Sequence, residues 1–331
     1  MPELPEVTTT VNGLQKTIAR LRIVDVWTDL AKKNQPLKQF QNTIKSEKFF
    51  KIFRKEITNK KILNVERRAK NILINIEGGH TILIHLKMTG HLLVGKYNKI
   101  VSPLSRKRQL PFAGEQKIMT WVPDKNERKS LHDPYNRFVH VVFSLDIVFS
   151  LDNGKHLVFC DSRKFGKVTY AKTEEIHGSI HLKDVGPEPL EIEFDFKTFK
   201  ERLDKKGSKS IKTVLMDQSV LAGIGNIYSD EMLWLASIHP ESKPNKIKDI
   251  DLKNLYNDMK KVLTKGIDFG GDSMSDYRNI DGELGRFQHH HNVYQKNKEL
   301  CGKRGCKGVI IRKVINGRSA HFCNTHQKLY N

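Results

Sequence analysis

Residues 62–90, ILNVERRAKNILINIEGGHTILIHLKMTG, alternate β-branched and polar residues in runs of five to seven, broken at Ala-Lys-Asn and at Gly-Gly. A period of two with turn residues between the runs predicts consecutive antiparallel strands. The same texture recurs in VHVVFSL at 139–145 and HLVFCD at 156–161, so residues from about 20 to 170 read as an antiparallel sandwich or barrel. Ahead of it, Val11, Leu14, Ile18 and Leu21 fall at helical spacing, which predicts one helix starting just after Pro2 and Glu3. Residues 98–132, rich in Lys and Arg and carrying Pro103, Pro111 and Pro123, read as an extended basic surface insertion. VFSLD at 142–146 repeats at 148–152, as a hairpin or a duplicated piece of strand.

The texture changes at Gly186-Pro187-Glu188-Pro189, after which FKTFKERLDKK, SIKTVLMD, IYSDEMLWLASI and IKDIDLKNLYNDMKKVLTKGI are helix-forming. Three units are expected: 1–186 with the sheet, 187–285 helical with a Gly-rich segment at 270–285, and 286–331. The fold class is α+β and multidomain. The 331 residues carry 58 Lys and Arg against 37 Asp and Glu, a net charge of +21 spread along the chain. That points to a polyanionic partner, nucleic acid first. No apolar run reaches membrane-spanning length and the start lacks the basic and apolar regions of a signal peptide, so a soluble, cytoplasmic protein is expected.

Three of the four cysteines crowd into the last 31 residues. Cys301-x4-Cys306-x16-Cys323-x2-His326 offers three thiols and an imidazole in two close pairs, a pattern for structural zinc (Zn2+) rather than a disulfide. His321 is a less natural fourth ligand. Between the pairs, Asn316-Gly317 predicts a tight hairpin turn with Arg318 just past its tip, positioned for a phosphate or simply solvated. Cys160 reads as a buried small hydrophobe, and the run His289–His291 as basic or structural, because successive side chains diverge.

Pro2 is small enough for Met1 to be removed, which would expose a secondary amine beside Glu3. An α-amine loses its proton at about pH 8 and a lysine amine at about pH 10, so far more of the former is a free nucleophile near neutrality. Glu3 is placed to move protons for it. Asn226 follows the glycines of GIG and is expected at the N-cap of a helix whose backbone N–H groups suit a phosphate. Met88, and Arg163 with Phe165, are candidate wedges into a base stack, though each alone also fits a core or an ordinary loop.

In order along the chain, MPELPEV, ERRAKNILINI, HLKMTG, DSRKFG, GPEPL, IKTVLMD, GIGNIY, FQHHHNVYQ and the terminal Cys cluster resemble the formamidopyrimidine-DNA glycosylase branch of the Fpg/Nei family. The likeness spans nearly the whole chain except 98–132. It implies a β-sandwich, a helix-two-turn-helix region and a zinc finger with damaged double-stranded DNA in the cleft between, bound by a monomer. It implies Pro2 as nucleophile, Glu3 as acid and base, and Lys70 as a third catalytic residue, a lysine that contacts a phosphate near the lesion and supports catalysis. Met88, Arg163 and Phe165 would fill the gap left by the flipped nucleotide. Asn226 and Arg318 would hold phosphates, and Lys212 would lie near the lesion. The activity implied is excision of oxidised purines with AP lyase strand cleavage. An oxidised-pyrimidine glycosylase and a non-catalytic damage-binding protein are the alternatives, and an RNA-binding zinc-finger protein is a third. The chain departs from the pattern at His326 and the four-residue spacer, at Lys87 where glycine is common, and at Lys164 where a second arginine is usual.

Overall fold

The structure, a computed structural model, describes residues 1–103, 117–146, 154–274 and 276–331. Helix α1 (Leu4–Thr17) leads into β1 (Arg22–Thr28), and β2 (Lys60–Arg68), β3 (Asn71–Ile76), β4 (His80–His85) and β10 (Lys167–Lys172) form one half of an antiparallel sheet. β1, β8 (Val139–Asp146), β9 (Lys155–Cys160) and β5 (His91–Gly95) form the other half. The halves are joined by only two residue pairs between β1 and β2, Arg22↔Lys61 and Ile23↔Lys60. Folded face to face, they bury Ile72, Ile74, Ile82 and Ile84 against Val141, Phe143, Leu157 and Phe159. This is the sandwich that the alternation predicts, and Cys160 is buried as expected, on the opposite face of β9 beside Leu93, Val142 and Val158.

Two segments differ from the sequence reading. EKFFKIFRKEI is not a strand but helix α2 (Glu47–Ile57), which buries Phe53 and Ile57 and leaves its basic residues in water. The 98–132 segment is not merely extended surface chain. Its two arms pair as β6 (Tyr97–Pro103) and β7 (Lys117–Pro123), anchored where Trp121 meets Trp27 and His156 at ring distances of 6.2 and 5.1 Å. The second copy of VFSLD lies outside the described residues; the first is in β8.

Helices α3 (Phe196–Asp204), α4 (Ile211–Met216) and α6 (Asp249–Asp268) surround α5 (Asn226–Leu235), which is buried from Tyr228 to Trp234. A helix buried all round must satisfy its polar side chains internally. Asp230 does so through Lys212 and His321, and Glu231 through the backbone N–H groups of Asn292, Val293 and Tyr294 at 2.8–3.1 Å. At the C-terminus β11 (Ile310–Ile315) and β12 (Arg318–Cys323) close around Asn316 and Gly317, whose φ values of +46° and +73° fit the tight turn expected there.

Residues 276–285 strap across the molecule. Ile280 is buried against Gly13 of α1, its carbonyl accepts from Val94 N–H at 2.8 Å, and Asp281 is held by Ser130 Oγ and by an ion pair with Arg128. Gly282 has φ +79° and lies so close to Ser130 that a Cβ would stand 2.6 Å from that carbonyl oxygen. Gly282→Ala should therefore lower stability by about 1–3 kcal/mol in denaturant unfolding. Gly79→Ala, at φ +70° with nothing within 4 Å, should cost less.

Candidate active site and nucleic-acid cleft

Glu3 is the N-cap residue of α1, yet its carboxylate serves another helix. Its oxygens accept from Gly225 N–H at 2.7 Å and Ile227 N–H at 2.9 Å, the donors at the start of α5. An anion is favoured there by the unpaired N–H groups and the helix dipole. The glycines make the approach possible: a Cβ on Gly225 would collide with the Glu3 carboxyl carbon, and one on Gly223 would lie 2.7 Å from Leu4. Leu4 N–H closes the junction on the Gly223 carbonyl at 2.9 Å. Buried Lys70 donates to the Ile224 carbonyl at 2.8 Å. Pro2 is buried beside this junction and Met1 is exposed at its mouth.

Burial pushes the Glu3 carboxyl up, and the Lys70 ammonium opposes it. Burial pushes Lys70 down, against the attraction of Glu3 and Glu6. Glu6 was not singled out in the sequence, although a Glu three residues after an N-cap is the spacing of a capping box. It accepts from Glu3 N–H at 2.6 Å, the Tyr228 hydroxyl at 2.6 Å and Asp272 N–H at 2.8 Å, which ties α1, α5 and the chain at Asp272 together. Burial, and then Glu3 beside it, raise its carboxyl to about 7.

The junction forms the floor of a cleft of about 1090 Å³, lined among others by Glu3, Lys70, Met88, Asn226 and Arg318. On one wall Met88, Arg163 and Phe165 meet: the Arg163 guanidinium donates to Met88 Sδ at 3.1 Å and lies 4.6 Å over the Phe165 ring. Met88 and Phe165 stay 43% and 46% exposed. Asp161, missed in the sequence, fixes both loops by accepting from the Thr89 hydroxyl at 2.5 Å and Gly166 N–H at 2.6 Å.

The opposite wall holds Asn226 and Arg318. Asn226 is not the N-cap of α5 but its first residue; Gly225 is the cap, because the Glu3 carboxylate already occupies the N–H groups an Asn side chain would take. Among the described residues the freed Asn226 Oδ1 has no hydrogen-bond partner and is buried. Lys212 does not reach the cleft. It is 1% exposed and its ammonium lies 2.5 Å from Asp230, whose other oxygen accepts from His321 N–H at 2.9 Å and faces His321 Nδ1 at 3.1 Å. So paired, Lys212 braces α4 against α5 and lies outside the cleft lining in this structure.

The ligand atoms of Cys301, Cys306, Cys323 and His326 lie within 4.8 Å of one another. Cys306 and Cys323 sulfurs are 3.7 Å apart and Cys301 Sγ is 3.3 Å from His326 Nδ1, edge lengths that suit a tetrahedral ion with metal–sulfur bonds of about 2.3 Å. His326 Nε2 meets the Trp234 carbonyl at 3.2 Å, which places the ring proton on Nε2 and leaves the Nδ1 lone pair for a metal. His321 is committed to Asp230. In the histidine run, His290 stacks on Phe269 at 3.7 Å and His291 meets Asp272 at 2.6 Å, both structural contacts.

The formamidopyrimidine-DNA glycosylase N-terminal domain profile matches residues 1–168, and the H2TH domain profile of the same glycosylases matches 185–278. The chain is 33% identical to the formamidopyrimidine-DNA glycosylase of Pelotomaculum thermopropionicum, over 99% of this chain and 100% of that one. The chain belongs to the formamidopyrimidine-DNA glycosylase family. The Bacillus subtilis formamidopyrimidine-DNA glycosylase is 32% identical over 98% of each chain. Among solved structures, the Lactococcus lactis Fpg complex with abasic-site DNA superposes with a TM-score of 0.74 at 28% identity, covering 98% of this chain and 99% of that one. A complex between an L. lactis Fpg point mutant and DNA containing Fapy-dG gives 0.74 at 28% identity, over 97% and 98%. Formamidopyrimidine-DNA glycosylases are DNA glycosylase/AP lyases, and this chain is one by sequence and by fold, with the Cys3His cluster in its terminal hairpin. Among the described residues no helix is long and apolar enough to cross a membrane.

The Glu6 carboxyl sets a pH dependence. The folded protein keeps its proton to about pH 7 whereas an unperturbed carboxyl releases it near 4.5, so this group's contribution to folding weakens as pH rises through that interval. Glu6→Gln removes the titration. The stability difference between variant and parent should move in the variant's favour by up to about 3 kcal/mol from pH 5 to pH 8 in parallel denaturant melts. A constant difference would place Glu6 outside this titration.

Proposed function

We propose that this enzyme excises oxidised purines, 8-oxoguanine and formamidopyrimidines, from duplex DNA and then cleaves the strand through a covalent intermediate on Pro2. The observation that supports the reading is the junction itself: Glu3, the residue after Pro2, is fixed on the start of α5 and lines the cleft together with Met1, Lys70 and Met88. Removal of Met1 gives the secondary amine. Met88, Arg163 and Phe165 enter the stack as the damaged nucleotide leaves it, a rotation that costs a few kcal/mol and less at a damaged base.

The Pro2 nitrogen attacks C1′ of the sugar, the bond between C1′ and the base breaks, and the base leaves with the glycosidic electron pair and takes a proton from solvent. Glu3 protonates the ring oxygen as the sugar opens and takes the amine proton in the balance. The Pro2–C1′ iminium draws electrons from the adjacent C2′–H bond; loss of that proton expels the 3′ phosphate, and a second elimination expels the 5′ phosphate. Lys70, Asn226 and Arg318 are assigned to the backbone phosphates around the lesion. One chain supplies every group, so the working unit is a monomer. The Cys3His cluster would hold one zinc ion, whose contribution is to fix the hairpin that presents Arg318.

Borohydride reduction on duplex containing 8-oxoguanine opposite cytosine should cross-link the protein at Pro2, read by mass spectrometry of the trapped peptide. Pro2→Gly should lose most of the trap while DNA binding persists; unchanged cleavage would remove the nucleophile assignment. Thymine glycol excised much faster than 8-oxoguanine would reverse the substrate choice. Separately, Cys306→Ser should lose bound zinc and weaken DNA binding together. A metal-loaded, fully active Cys306→Ser protein would reject the zinc site.

A further inference from the structure

At the end of β4 His85 lies directly across from Lys167 of β10, and the chain then turns through Lys87 into Met88. Lys87 has φ +58°, the left-handed region that glycine occupies without penalty and other L-residues do not. Its packing gives no return for that cost: Lys87 forms no ion pair among the described residues, and its side chain lines the cleft. Lys87 N–H donates to His85 Nδ1 at 3.0 Å, and the Lys167 ammonium donates to His181 Nδ1 at 3.0 Å. With Nδ1 of each ring used as an acceptor, the ring proton sits on Nε2. Burial first and the neighbouring lysines next push His85 to about 3 and His181 to about 4, so both are neutral donors near pH 7. Burial lowers the Lys87 ammonium, and burial followed by Lys87 lowers Lys167. Among the described residues no carboxylate pairs with Lys87, Lys167 or His181. A half-buried cation on the cleft wall, a second one joined to the cleft through His181, and the neutral rings of His85 and His181 lining it fit an anion with several acceptor oxygens.

We propose that Lys87, Lys167 and His181 form a further binding site for one backbone phosphodiester of DNA, on the sandwich wall beside Met88 and apart from Asn226 and Arg318. The site rests on the reading of the cleft as a DNA cleft. Lysine at position 87 then supplies a charge at the cost of backbone strain, and it does so next to the wedge, where a gripped phosphate would hold the backbone while the base is out of the stack.

The test is equilibrium binding of the full-length protein to a duplex with a tetrahydrofuran abasic analogue, as a function of salt, with thermal melting of each variant. Lys87→Gly should melt at the same or a higher temperature, because glycine relieves the strain, while binding about tenfold more weakly at low salt. Its log Kd against log salt slope should fall by about 1, the signature of one lost phosphate contact. Lys167→Ala should behave alike in binding. His181→Ala should weaken binding with the slope unchanged, since the ring is neutral. Lys51→Ala, a control on exposed α2 paired with Glu47, should match the parent. The site is rejected if Lys87→Gly keeps the parental slope, if it melts lower than the parent, or if Lys51→Ala lowers the slope as much. Failure of the parent protein to bind the duplex would instead reject the DNA-cleft reading.

Discussion

The Glu3 carboxylate on the first turn of α5 is the contact on which the rest of the site depends. It joins positions 222 residues apart in the chain, and both partners are buried. An ionised carboxylate away from water is tolerated only with donors around it, and here two good backbone N–H bonds, the helix dipole and the Lys70 ammonium supply them. Every nearby feature follows from that demand. Glycines at 223 and 225 remove the side chains that would block the approach, and α1 is held so that Leu4 enters the helical core while Val7, Val11 and Leu14 enter the sandwich core. Since α1 belongs to both cores, the cleft between them has a fixed floor, and residue 2 is placed by the same contact that joins the domains.

The charge of the chain is divided between bracing and binding. Arg67 and Arg68 share the Glu188 carboxylate at 2.6 and 2.9 Å, which pins β2 to the segment leading into the helices; Lys212 is spent on Asp230. Ion pairs this well buried add little net stability, but losing one partner would cost several kcal/mol, on the order of 3–5. They act as fixed geometry. By contrast Lys87 and Lys167 have no carboxylate partner among the described residues, and Arg163 is engaged with Met88 and Phe165 rather than with an acid. Lys70, Lys87, Arg312 and Arg318 line the cleft, where a polyanion can meet their charge.

The sequence made the sandwich legible because its strands carry their own signal: in NILINI and HTILIH every second residue points into one core. The zinc-type ligand set was legible for a similar reason, since the spacing is local and the donor types identify the chemistry. What could not be read locally were features decided by distant partners. Helix α2 has a strong apolar stripe, yet it sits amid strand-like sequence and its core face is set by Tyr170 and Phe143. Asn226 looked like a cap because nothing nearby shows that Glu3 takes its place. Lys212 entered through the family likeness alone, and its local sequence does not show the carboxylate that holds it, 18 residues on inside buried α5. Glu6 left one usable trace, its spacing from Glu3.

The terminal hairpin is held by groups well away from its exposed tip. Three restraints converge on Arg318. The Cys3His set closes the base of the hairpin, with His326 oriented by the Trp234 carbonyl of α5. Asp230 of α5 holds the β12 backbone at His321, and it can do so only because Lys212 balances its charge. At the tip, Asn316 Nδ2 donates to Thr213 Oγ1 of α4 at 2.8 Å, so the turn itself is fastened to the helical region. A two-stranded hairpin alone is marginal in water. Held at base, middle and tip against helices that also cap Glu3, it keeps an exposed arginine in fixed relation to the N-terminus, and that relation, more than any property of Arg318 alone, makes the two walls parts of one site.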